Sequence, residues 1–304
     1  MSWRTIIISK QAKLDYKMGM MVIRGEETRR VVLDEIATLV VENPAVSLTG
    51  CLIEALIEKK VKVIFCDAKR NPAAELLPHH GSHDSTAKIR TQAAWSNEVK
   101  GLVWMEIISE KIRKQAEFLE ELEKGREAAL LRSYIGQVEE LDATNREGHA
   151  AKVYFNALFG MDFTRGAVNA TNAVLNYGYS LILSAFNREI SANGYLTQLG
   201  IFHNNMFNHF NLSCDFMEPF RVVVDRFVFT NGFHLLDSFE LEDKHILWQL
   251  LEKKVFIDGS CRGISDAIRI FVRSVFDAMN DSDPSEIKFF DFIRGPEGVC
   301  VNSL

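Results

Sequence analysis

The sequence predicts an α+β chain with an N-terminal β-sandwich and a C-terminal all-α domain, on three observations. Short β-rich segments crowd the first ~70 residues; a stretch holding Pro72, Pro78, Gly81 and three histidines follows; helical periodicity dominates from about Thr86 onward. The divisions that result are a sandwich at 1–68, a linker at 69–85 and a helical domain at 86–304.

In order, Trp3–Ser9, Lys13–Lys17, Met20–Arg24, Arg30–Leu33 and Ile36–Val41 are β-branched runs separated by Gly19, the Gly25–Glu27 turn and Asn43–Pro44. Their close spacing predicts a small antiparallel sandwich. SLTGCLIEALIEKK, opening at Ser47, repeats Leu48, Cys51, Leu52, Ala55 and Leu56 at helical spacing, and Val61–Cys66 reads as a buried strand. In the second part, Trp95, Val99, Leu102, Val103 and Glu106 start one helix, with Ile107–Gly125 and Ala128–Glu140 continuing the pattern. Further helices are expected at Ala150–Leu158, Asn169–Ile190, Pro219–Phe227, Leu241–Val255 and Ser265–Met279.

With 304 residues, 47% hydrophobic and 25% charged, the chain is of ordinary globular composition and excludes disordered or collagen-like classes. The formal charge of −6 weighs against nucleic acid, whose non-specific affinity is mostly electrostatic. Five cysteines without a CxxC pair point to a reducing, intracellular setting. No apolar run approaches the ~20 residues that span a bilayer, and no export signal opens the sequence.

Asp215 and Glu218 stand three residues apart beside Pro219, so their carboxylates could share a divalent cation or form a capping box at a helix start. His203 lies in GIFHNNMFNHF, as a loop residue or a ligand, and Glu147 in NREGHAAKVYF reads as a first-turn glutamate facing the helix dipole. His79, His80 and His83 lack the cysteines or second histidine pair that would make a zinc site. Phosphate-loop, dinucleotide-binding and serine-hydrolase motifs are absent.

Taken together, AKLDYKMGMMVIR, VSLTGCLIEALIEKKVKVIFCD, NREGHAAKVYFNALFG, NAVLNYGYSLI and GIFHNNMFNHFNLSCDFMEPFR resemble, in order and over nearly the whole chain, the type II branch of the CRISPR-associated Cas1 family of spacer-acquisition integrases and endonucleases. The resemblance implies that Glu147, His203 and Glu218 are catalytic metal ligands, with Asp215 an accessory group beside them. Such a donor set suits Mg²⁺ or Mn²⁺. It further implies a cytoplasmic prokaryotic enzyme without a membrane, acting on double-stranded prespacer DNA and CRISPR repeat DNA. The sandwich would form a homodimer, and two dimers would flank a Cas2 dimer as a heterohexamer, with Cas9 and Csn2 as further participants. Lys88, Arg90, Arg146, Lys152, Arg165 and Arg221, near the matched motifs, are the candidate phosphate contacts. A non-catalytic DNA-binding scaffold and a general metal-dependent nuclease are the competing functions. The charge also divides unevenly: residues 1–86 hold 12 basic and 11 acidic side chains, whereas 87–114 hold six basic against three acidic, so a local field can oppose the global sum.

Overall fold

Eight strands and one helix build the first part of the chain in the computed structural model, which describes residues 4–77, 82–139, 142 and 144–293. They are β1 (Arg4–Ile8), β2 (Lys13–Lys17), β3 (Met20–Arg24), β4 (Thr28–Val32), β5 (Ile36–Val41), β6 (Ser47–Leu48), α1 (Gly50–Glu58), β7 (Lys62–Cys66) and β8 (Pro72–Leu76). The sheets run in the orders β1-β5-β7-β8 and β4-β3-β2-β6. Leu14, Met21, Leu33, Leu39, Leu52 and Leu56 bury into a shared core, in one unit spanning Met1–Gly81.

Three expectations change here. The first sheet is largely parallel, β1 with β5 and β5 with β7, because the chain between β5 and β7 crosses over through β6 and α1. The helix opens at Gly50 behind Thr49, whose hydroxyl accepts the Leu52 N–H; Ser47 and Leu48 instead pair with Lys13 and Leu14. Within the expected linker at 69–85, Pro72–Leu76 is an edge strand antiparallel to β7, a place where proline costs no ladder bond. A 2.7 Å ion pair from Lys62 to Glu75 fastens it. His79 and His80 lie outside the described residues.

Helices dominate the second unit, Ser82–Leu304: α2 (Ser85–Ala94), α3 (Asn97–Glu121), α4 (Gly125–Ile135), α5 (Arg146–Phe159), α6 (Ala170–Ala192), α7 (Asn211–Phe216), α8 (Arg221–Thr230), α9 (Leu241–Leu247) and α10 (Ile264–Asp281). Ser96 caps α3, accepting the Val99 N–H at 3.2 Å, and Trp104, Ile107, Ile108 and Ile112 bury one stripe of it. The unit is not all-α. The helix expected over Leu241–Val255 stops at Leu247, a 3-10 turn carries Trp248–Glu252, and β9 (Lys254–Ile257) pairs with β10 (Ser260–Gly263). Asp258 and Gly259, at φ 50° and 69°, supply the two left-handed positions of a tight hairpin. No helix among the described residues is long and apolar enough to cross a membrane.

Helices α6 and α8 meet where Gly178 faces Val224; a Cβ there would stand 2.4 Å from a Val224 methyl carbon. Valine is stiff at its branched carbon and cannot withdraw. Gly178→Ala should therefore cost about 1–3 kcal/mol through overpacking. Urea unfolding reads the loss, and Val224→Ala in the same chain should restore a large part of it; a double variant no more stable than Gly178→Ala would contradict the contact.

Candidate active site

Glu147 sits in the first turn of α5, but it does not cap the helix. The Asp142 carboxylate accepts the N–H groups of Arg146 and Glu147 at 2.7 and 3.0 Å, covering two donors that a helix start leaves over. The Glu147 side chain turns inward, its Oε1 2.6 Å from Nζ of Lys111 on α3.

Glu218 follows α7 in a 3-10 turn, Glu218–Phe220, that leads into α8. The early Pro219 suits a first turn, where no N–H is required. Buried almost completely, Glu218 meets Lys111 Nζ at 2.5 Å with one oxygen and Arg221 Nε at 2.8 Å with the other. Burial alone would push its carboxyl up, but the Arg221 and Lys111 charges outweigh it and hold the group at about 2. Burial likewise opposes the Lys111 ammonium, which Glu218 and Glu147 keep protonated.

Asp215 and Glu218 form no capping box. Asp215 lies inside α7, one turn after its start, and its fully buried carboxylate reaches across to the segment before the helix. Oδ2 accepts the N–H groups of Ile201 and Phe202 at 2.7 and 3.1 Å, and Oδ1 accepts that of His203 at 3.1 Å and stands 2.5 Å from His203 Nδ1. The imidazole is thereby fixed with Nε2 free for a ligand. That hydrogen bond raises the His203 pKa. The turn tolerates no side chain at Gly200: a Cβ would fall 2.3 Å from the His203 carbonyl oxygen and 2.7 Å from Asp215 Oδ2.

Glu147, His203 and Glu218 line one cleft of about 230 Å³, together with Lys111, Gln115, Arg165, Tyr179, Arg221 and Asp225. Of the six basic candidates, the cleft takes Arg165 and Arg221. Arg165 is anchored by Asn172 and Asn176 and lies over the rings of Phe155 and Tyr179. Lys88 and Arg90 are on α2, where Lys88 pairs with Asp84; Lys152 is exposed on α5, and Arg146 lies over the Tyr134 ring. None of these four lines the cleft.

Among the described residues, no three His, Cys, Asp or Glu side chains are placed to share an ion. The Lys111 ammonium stands between the carboxylates of Glu147 and Glu218. Both carboxylates contact that one cation, and carboxylate oxygens with one imidazole nitrogen are a donor set of the kind that suits Mg²⁺ or Mn²⁺.

Lys111, Gln115, Tyr179, Asp225 and Gly200 did not stand out in the sequence. One signal was present for the first two. Trp104, Ile107, Ile108, Lys111 and Gln115 fall on one helical stripe, so a lysine and a glutamine occupy core positions of α3. Asp225 accepts a hydrogen bond from Tyr179 across the space between α6 and α8, which no local pattern encodes.

Asp215→Ala removes the acceptor of three loop N–H groups and should destabilise by roughly 3 kcal/mol, at about 1 kcal/mol for each orphaned donor; denaturant unfolding with a loss below a third of that would contradict the pin. Asp225 supplies a pH test. Burial raises its carboxyl from 3.8 to about 6 against the Tyr179 hydrogen bond. The folded state then binds a proton that the unfolded state has released, so this contribution is complete below pH 3.8 and disappears as pH rises through about 6. Asp225→Asn should flatten the melting profile over that window, and an unaltered slope would refute the shift.

The family profile described as CRISPR associated protein Cas1 matches residues 5–247. A CRISPR-associated endonuclease Cas1 of Neisseria meningitidis serogroup C (strain 8013) is 35% identical over 226 residues, 74% of each chain. Among solved structures, a casposase bound to an integration product superposes with a TM-score of 0.73 at 19% identity, over 93% of this chain and 91% of that one. A Cas6-RT-Cas1–Cas2 complex aligns with a TM-score of 0.69 at 15% identity, over 93% of this chain and 36% of that longer one. By the extent of the family match and the identity to the Neisseria protein, this chain belongs to the Cas1 family.

Proposed function

We propose that this chain is a CRISPR-adaptation integrase of type II style that inserts prespacer DNA into repeat DNA by metal-dependent strand transfer, in a complex with Cas2. One observation carries the reading: Glu147, His203 and Glu218, from three separate elements, converge on one cleft with a cation between the two carboxylates. The endonuclease name of the Neisseria relative and the integration product held by the casposase support the reaction class. The Cas1–Cas2 assembly of the longer relative supports the partner. The homodimer, the heterohexamer with a Cas2 dimer, the double-stranded DNA substrates, the cytoplasmic setting and the participation of Cas9 and Csn2 belong to the same proposal.

Glu147, Glu218 and His203 Nε2 would hold Mg²⁺ or Mn²⁺, which supplies charge stabilisation at the reacting phosphodiester. The protein's own part is positional. Asp215 fixes the His203 ring, and Arg221 holds the second oxygen of Glu218, so both ligands are set before substrate arrives. Arg165, fixed over Phe155 and Tyr179, offers a guanidinium to a DNA phosphate at the cleft. A DNA 3′-hydroxyl would form a new P–O bond as the repeat's bond to its own 3′ oxygen breaks; that oxygen leaves as a new 3′-hydroxyl, taking up a proton equivalent to the one the attacking hydroxyl gives up. One phosphodiester replaces another, so no nucleotide is hydrolysed, in keeping with the missing phosphate loop.

With purified protein, Cas2, Mn²⁺ and a short repeat duplex, Glu147→Gln and Glu218→Gln should each lower strand transfer by roughly a hundredfold or more. Variants as active as the parent would leave a non-catalytic scaffold. Preference for branched integration intermediates over plain duplex distinguishes an integrase from a general nuclease. If α2 carries phosphate contacts, Lys88→Ala with Arg90→Ala should reduce the slope of log affinity against log salt by about 2; an unchanged slope places α2 off the DNA.

A further inference from the structure

We propose that Lys111 is a resident counter-ion with two positions: it bridges Glu147 and Glu218 when no metal is bound, and a divalent cation displaces it toward Gln115 and Asp225. This rests on the metal-site reading above and adds that metal affinity is set by competition with a side chain of the protein itself.

The bridging position is complete. Nζ lies 2.6 Å from Glu147 Oε1 and 2.5 Å from Glu218 Oε2, and the Lys111 side chain is 8% exposed. An ammonium so buried is stable only while both partners remain. With Arg221 on the other oxygen of Glu218, two cations already balance two carboxylates. A divalent ion bound by the same acidic side chains would face the ammonium across a few ångströms with little water between them, where like charges repel strongly. The two cannot hold those oxygens together.

A destination also exists. Gln115 is one turn further along α3 on the same face, and its Oε1 is buried without a hydrogen-bond partner. Asp225 Oδ2 is buried and makes no hydrogen bond of normal geometry, since Tyr179 bonds the other oxygen and the Tyr154 hydroxyl interacts with the carboxylate only poorly aligned. Both residues line the cleft that holds Glu147, His203 and Glu218. Unsatisfied buried acceptors are rare in folded proteins. An ammonium carries three donors, enough to serve both acceptors after it leaves the carboxylates.

Titration calorimetry of the full chain with Mn²⁺ alone tests the idea, alongside melting in chelator and in Mn²⁺. Lys111→Met should bind Mn²⁺ about tenfold or more tightly than the parent, each lost charge-assisted bond being a barrier removed. Stripped of metal, it should melt well below the parent, and Mn²⁺ should close the gap. Gln115→Leu should weaken Mn²⁺ binding several-fold without lowering the metal-free melting temperature. Unchanged or weaker affinity in Lys111→Met would overturn the competition, as would a variant that fails to fold even when prepared in Mn²⁺, which would make Lys111 an ordinary structural ion pair. If neither the parent nor Lys111→Met binds Mn²⁺, the metal-site reading fails instead.

Discussion

Two carboxyl groups facing one largely buried cleft both stay ionised only where positive charge stands between them. Glu147 and Glu218 are in that position, and the Lys111 ammonium neutralises both. The elements that carry them have other reasons to be where they are: Asp142 fixes the start of α5, and the Asn211–Phe220 run is buried almost throughout. The cleft is therefore built against electrostatic resistance. Its occupant, whether ammonium or metal ion, is part of the fold's stability as well as of its chemistry.

A second constraint acts on the histidine. His203 belongs to a loop without regular hydrogen bonding, and a loop residue is normally free to move. Asp215 removes that freedom by accepting three consecutive N–H groups and the imidazole, and Gly200 lets the backbone approach closely enough for it. The Phe202 ring stacks on Trp104 of α3 at 4.4 Å, tying the loop to the helix that carries Lys111. One helix thus references both halves of the site.

Much of this was legible in residue order. Strand positions through Val41 and the long helices follow from periods of two and 3.6, and they recur within a few residues of where alternation and apolar stripes place them. Less was legible where pairing is non-local. Nothing in Ile36–Val41 announces a parallel neighbour, and Pro72–Leu76 lacks the β-branched content of a strand because its register comes from β7. The hairpin at Asp258–Gly259 did carry a turn signature, hidden behind an apolar run that extends a helical pattern. At the site, the acidic and imidazole residues stood out because a family pattern marks them. For Asp215 the spacing leaves a capping box and a place beside a cation both open, since spacing alone cannot say which N–H groups a carboxylate will meet. Lys111 and Gln115 belong to no local motif, and only their place on the Trp104–Ile108 stripe marks them as core positions.

The proposed cation site of Glu147, His203 and Glu218, from which Lys111 would be expelled, is open to direct observation. Anomalous scattering from crystals of the protein soaked in Mn²⁺ tests it most directly. The expected result is a manganese peak bonded to those three side chains, with the Lys111 Nζ withdrawn from both carboxylates. A peak elsewhere, or Lys111 still bridging Glu147 and Glu218 in crystals saturated with Mn²⁺, would contradict it.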